Sequence, residues 1–362
     1  MCMEPERSGY IQRVQRKESM GGERAIETTS SINSDGKGNT KSMVGPIFHI
    51  GLPKTGTSFL QERFLGTLGV PFYSTHQRML PRSMKWMYRI NGRWIDERLD
   101  RKTKQNLLNN IVEREFVVNE EIKGKTVIVS AEGLCGVSYD PLLNSGSIAR
   151  QLAKHYPDAR IIICLRNHAD WCASIYQQLV IQENRFRRYI PFHNFFSTEN
   201  SKDTLVNIAD LKWSELCEHW IGAFGENQVL LLEYDELKKH PINFLSKISH
   251  FTIGKDTAMF NATERINDST GRHEYKASPF YQKIIRFLQA ILMADVERTL
   301  WEASRLQQGK NKYQAHTLTF PGLDTETRLI INECVNIDQQ RTQSLIASNQ
   351  RIHKFSMHGN EA

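Results

Sequence analysis

The chain has 362 residues, 40% of them hydrophobic and 24% charged, enough for one large core or for two or three smaller ones. No apolar run approaches the ~18 residues of a membrane-crossing helix, and the N-terminus lacks the apolar segment of a secretory signal, so a membrane span is excluded and export is not expected. Of the formal net charge of +7, most lies in residues 78–104, where nine Lys/Arg meet three Asp/Glu among Trp86, Tyr88 and Trp94.

Residues 1–45 are rich in Ser, Gly, Thr, Glu and Arg without an apolar period, which predicts a disordered leader. From Pro46 the pattern changes. Ile47-Phe48-His49-Ile50 reads as a buried strand ending at Gly51, and a helical pattern covers 55–68. Val70-Pro71-Phe72-Tyr73, Thr126–Ala131, Arg160–Leu165 and Val229–Glu233 read as further strands. Helical patterns lie between them, at about 101–119, 145–156, 169–184 and 211–224. This alternation predicts an α/β fold with a central parallel sheet of about four or five strands and helices on both faces.

Strand signals stop after residue 260, and 278–295 and 323–348 read as helices. The expected organisation is one domain over 46–350, with its core in 46–250, a helical C-terminal extension over 260–350 and a flexible tail at 351–362. The six cysteines, Cys2, Cys135, Cys164, Cys172, Cys217 and Cys334, form no C-x-x-C pair, so buried, reduced thiols in a cytoplasmic protein are expected.

The segment Gly51-Leu52-Pro53-Lys54-Thr55-Gly56-Thr57-Ser58 joins the first strand to the first helix. Backbone N–H groups at a helix N-terminus make an anion site. Gly56 permits close approach, Thr55, Thr57 and Ser58 add hydroxyls, and Lys54 adds a full charge. The spacing G-x-x-x-x-G-K-[ST] of nucleotide triphosphatases is not met, because Thr57 follows Gly56 and the lysine precedes it.

Phe48-His49-Ile50-Gly51-Leu52-Pro53-Lys54-Thr55-Gly56-Thr57-Ser58 resembles the 5′-phosphosulfate loop of sulfotransferases, bacterial members especially. These enzymes use 3′-phosphoadenosine 5′-phosphosulfate (PAPS). A second signature of the family is an arginine at a strand end and a serine eight positions on, which hold the 3′-phosphate. Arg166 and Ser174 match it, in Arg166-Asn167-His168-Ala169-Asp170-Trp171-Cys172-Ala173-Ser174. Val229–Leu237 resembles a late core strand and the turn after it. The resemblance covers roughly 46–250 and implies the P-loop-like sulfotransferase fold.

It also implies site residues. Lys54 is the expected cation for the leaving phosphate oxygen. The expected general base is Glu132, placed like the catalytic histidine or glutamate at the end of a core strand in relatives, with His76 as its rival. Phe59 is a candidate for adenine stacking or for core packing, and Trp171 is a second stacking candidate. His49 reads as a core group, and His168 as a possible neighbour of the nucleotide. Arg265 and Arg272, in a basic loop, are candidates for the 3′-phosphate. The resemblance thus implies nucleotide contacts from Pro53 to Ser58 in the loop and from Phe59 directly after it.

The expected activity is transfer of a sulfuryl group from PAPS to a hydroxyl, with a carbohydrate or glycolipid as acceptor because of the basic, aromatic segment 78–104. Neither a metal nor a nucleic-acid partner is expected. Two other readings stay open: a P-loop-type kinase or NTPase, and a non-catalytic module binding an anionic polymer.

Overall fold

The computed structural model describes residues 44–74, 99–182, 190–199, 204–255 and 323–358. Five strands form one parallel sheet in the order β2-β3-β1-β4-β7: β1 (Ile47–Gly51), β2 (Phe72–Ser74), β3 (Ile128–Ser130), β4 (Arg160–Leu165) and β7 (Val229–Glu233). Two further short strands, β5 (Phe196–Ser197) and β6 (Val206–Asn207), pair with each other. The five-stranded count and the parallel sense are those expected.

The apolar runs of the strands follow from burial on both faces. Successive side chains alternate sides. Phe48, Ile50, Val129, Ile161, Ile163 and Leu231 enter one core, whereas Ile47, Ile128, Ile162, Leu230 and Leu232 enter the other. The larger core is covered by α2 (Arg101–Glu115), α3 (Ser145–His155), α4 (His168–Tyr176) and α6 (Trp213–Phe224). The smaller core is covered by the helix after β1 and by α8 (Pro241–Ile253).

The predicted helix over 55–68 is broken into three turns: α1 (Thr57–Phe59), a π turn (Leu60–Phe64) and a 3₁₀ turn (Leu65–Leu68). Short elements also appear that the sequence pattern does not signal, namely α5 (Phe192–Phe195) and α7 (Tyr234–Lys239). They fall below the length at which periodicity can be read.

The C-terminal segment is helical, as α9 (Thr325–Cys334) and α10 (Asn336–His358). α10 covers the outer edge of β7. Asn349 accepts from Leu231 N at 2.9 Å and donates to Val229 O at 2.8 Å, and His353 Nε2 meets Val229 O at 2.8 Å. These side chains replace the missing neighbour strand, which is how an edge is made safe. They also carry the helix beyond residue 350, where the sequence reading puts a frayed tail. Buried Arg160 donates to the carbonyls of Phe251 and Thr252, so a cation closes the C-terminal end of α8.

Cys135, Cys164, Cys172 and Cys217 are free and buried, and burial pushes the Cys164 thiol up to about 12. Cys334 departs from the expected pattern: it is free but exposed on α9. The predicted helix over 278–295 lies outside the described residues.

Candidate active site

β1 ends at Gly51, whose φ of 87° turns the chain out of the sheet. Its register against β4 slips between His49 and Gly51, so the loop leaves from an irregular strand end. Lys54 has a φ of 67° and is the one non-glycine residue at positive φ among the described residues. That conformation costs about 1–2 kcal/mol for a side chain with Cβ, so the surrounding bonds must hold it. Thr55 Oγ1 donates to Leu52 O at 2.5 Å, and Leu52 N donates to Cys164 O at 3.0 Å.

Gly56, with φ 83°, caps α1, and its carbonyl accepts from Leu60 N at 3.1 Å. A Cβ there would lie 2.7 Å from Leu237 Cδ2 and 3.1 Å from Tyr234 Cε2. Glycine is therefore required twice, by the turn and by contact with α7.

Arg166 follows β4 directly and reaches the loop. Its Nη1 donates to Lys54 O at 2.9 Å, and its guanidinium lies 5.0 Å from the centre of the Tyr234 ring. Its buried Nε has no hydrogen-bond partner among the described residues. Two indoles support the pair from below. Trp171 Nε1 donates to Pro53 O at 3.1 Å and Trp213 Nε1 donates to Arg166 O at 3.0 Å, with the two rings edge to face at 5.0 Å. Ser174 is half-buried on α4, about one turn beyond Trp171.

Glu132 opens the short helix Glu132–Cys135 after β3. It is half-buried and accepts a hydrogen bond from Thr57 Oγ1, so the carboxylate stands against the loop. Its Cγ lies 3.5 Å from where a Cβ on Gly51 would be. Beneath it, His49 Nδ1 and Ser130 Oγ are 2.7 Å apart, and Gln61 Nε2 donates to the same hydroxyl at 2.9 Å. Burial lowers the His49 pKa to about 4, so the ring is neutral; its Nε2 has no partner among the described residues.

The structure thus brings Pro53, Lys54, Thr55, Gly56, Thr57, Arg166 and Glu132 to one sheet edge, with Ser58 half-buried on α1. Phe59 packs partly buried against the smaller core. Trp171 corrects the sequence reading: it is fully buried and underlies the loop, so no ligand can stack on it. His168 is likewise buried, stacked on Trp213 at 4.7 Å and bonded to Leu211 O at 2.9 Å, although it lines a cavity beside Arg166. His76, Arg265 and Arg272 lie outside the described residues. Tyr234 and Trp213 are site neighbours that sequence reasoning missed. The position of Tyr234 one residue beyond β7 was the available signal, because ligands gather at the carboxyl ends of parallel strands.

Residues 46–253 match the model of the sulfotransferase family. The chain belongs to that family. Sulfuryl transfer is therefore its general chemistry, and the readings as an NTPase or as a passive anionic-polymer binder give way to it. Among solved structures, this sulfotransferase is similar to one from Alicyclobacillus acidocaldarius, with 21% identity over 71% of this chain and 98% of that chain at a TM-score of 0.34. It is also similar to mouse sulfotransferase SULT7A1 complexed with PAP, with 16% identity over 86% of this chain and 88% of that chain at a TM-score of 0.35. No curated protein matches the chain.

Proposed function

We propose that this sulfotransferase takes its sulfuryl group from PAPS and delivers it to a hydroxyl. The observation that carries the reading is the 2.9 Å bond from Arg166 to the Lys54 carbonyl. It joins two anion-binding segments from different strands, and PAPS carries an anionic group at each of two positions. The loop amides, the Lys54 ammonium and the hydroxyl of Ser58 are assigned to the phosphosulfate, because the hydroxyls of Thr55 and Thr57 already donate to Leu52 O and Glu132. Arg166 and Ser174 are assigned to the 3′-phosphate, for which the unpartnered Arg166 Nε is a ready donor.

The transfer itself needs few groups. The acceptor hydroxyl gives its proton to Glu132, its oxygen bonds to sulfur, and the bond from sulfur to the bridging phosphate oxygen breaks. Lys54 meets the charge that develops on that oxygen. The products are the sulfate ester, adenosine 3′,5′-bisphosphate and a protonated Glu132, which then loses its proton to water. For the acceptor we propose a carbohydrate or glycolipid hydroxyl, on the strength of the basic and aromatic segment 78–104, most of which lies outside the described residues.

Titration of the full chain with adenosine 3′,5′-bisphosphate, followed by a mass-shift screen with PAPS and a panel of sugars and glycolipids, tests both levels. Saturable binding supports the donor and a sulfated sugar supports the acceptor. A chain that binds no bisphosphate overturns the reading.

A further inference from the structure

A cavity of about 240 Å³ opens where β4 and β7 end. Arg166 lines it, together with Trp213 and Tyr234. A further wall comes from α10, through Gln339, Thr342 and Gln343. This helix lies beyond residues 46–253, the segment that matches the family. Gln339 and Gln343 are four residues apart and share one face of the helix.

The lining decides what fits. The acids Glu233 and Asp235 match the bases Arg166 and Lys239 in number, so apart from Arg166 the lining offers an anion no net positive charge. The group that enters the cavity is therefore an uncharged part of a ligand whose anion is held at Arg166. Carboxamides donate and accept at once, which matches the edge of a heterocycle that presents both kinds of site. Ligand pockets for drug-sized molecules span about 300–1,000 Å³, so this smaller cavity suits a single flat ring system and is too small for a whole sugar chain.

We infer that α10 reads the base of the nucleotide: Gln339 and Gln343 hold the edge of a purine in this cavity and set which bisphosphate the enzyme accepts. The inference rests on the PAPS reading above and adds specificity residues to it. Thr342, buried and beside Asp338, holds the helix face in place.

The test is titration of the full chain and of its Gln339→Ala/Gln343→Ala variant with three probes: adenosine 3′,5′-bisphosphate, inosine 3′,5′-bisphosphate and ribose 3,5-bisphosphate. The wild type should prefer the adenine form. The variant should lose about tenfold or more in affinity for it, the scale of two neutral hydrogen bonds, with the base-free probe unchanged. Gln343→Leu, at an exposed position, should show part of the same loss without risk to the fold. A wild type that binds none of the probes overturns the PAPS reading and this inference together. A wild type that binds all three alike, or a variant that keeps the wild-type preference, overturns this inference alone.

Discussion

Arg166 and Lys54, 112 residues apart in the chain, are joined by a 2.9 Å hydrogen bond from a guanidinium to a backbone carbonyl. The bond uses the lysine's main chain and not its ammonium. It also helps hold Lys54 at its φ of 67°.

Changes at the two residues should therefore differ. Lys54→Ala keeps the carbonyl that Arg166 grips, so turnover should fall further than bisphosphate affinity. Arg166→Ala removes a phosphate fork and loosens the loop, and affinity should fall on the order of 10–100-fold, as for loss of a charge-assisted hydrogen bond. Calorimetric titration beside steady-state kinetics separates the two. Equal loss of affinity in both variants contradicts this division.

Glu132→Gln keeps an oxygen that can accept from Thr57, so the loop should stay intact and bisphosphate should bind as before. Turnover should drop about 10²–10⁴-fold, the usual worth of a general base. If single-turnover rates are unchanged, the base lies elsewhere, with His76 the next candidate.

Gly56→Ala places a methyl 2.7 Å from Leu237 Cδ2 at a backbone φ of 83°. The leucine end can shift, whereas the backbone cannot, so a loss of about 1–2 kcal/mol is expected from the φ alone. Denaturant unfolding measures it. A variant as stable as the wild type shows that the turn has another conformation within easy reach.

His49 is neutral in the fold because burial holds its pKa near about 4, against an ordinary 6.5. The unfolded imidazole takes a proton below 6.5, whereas the folded one does so only near 4. In that window the unfolded state binds more protons, so this contribution is complete above pH 6.5 and is lost as pH falls toward 4. Its full size is on the order of 3 kcal/mol. Urea unfolding of the wild type and of His49→Gln across this range should give a steeper acid loss for the wild type. Identical slopes count against the assignment.

Asn349→Leu leaves Leu231 N and Val229 O at the β7 edge without their amide partner. A loss of about 1–3 kcal/mol is expected, the cost of an unsatisfied buried group. Hydrogen exchange at Leu231 should speed up markedly. Unchanged protection there means that α10 does not seal this edge.

Much of this was legible in the chain itself. The strands β1, β4 and β7 fall where continuous apolar runs such as Ile161-Ile162-Ile163 place them, because burial on both faces leaves no polar alternation to misread. Lys54 and Arg166 were legible because one lies three residues beyond such a strand and the other directly follows one, where parallel sheets gather ligands. Trp171 was misjudged because its spacing is compatible with either side of α4, and only the packing shows it donating to Pro53. The role of α10 was hidden for a similar reason. Asn349, Gln339 and Gln343 look like an ordinary polar helix surface until β7 and Arg166 are seen beside them.

The crossed indoles of Trp171 and Trp213 have an optical consequence. Each donates through its ring nitrogen to one of the two segments proposed to hold the nucleotide, Trp171 to Pro53 O and Trp213 to Arg166 O, and both are shielded from solvent. Any ligand that draws Pro53 and Arg166 into a new spacing must tilt one ring against the other. Native ultraviolet emission and near-ultraviolet dichroism then become label-free gauges of occupancy, with Trp213→Phe as the silent reference.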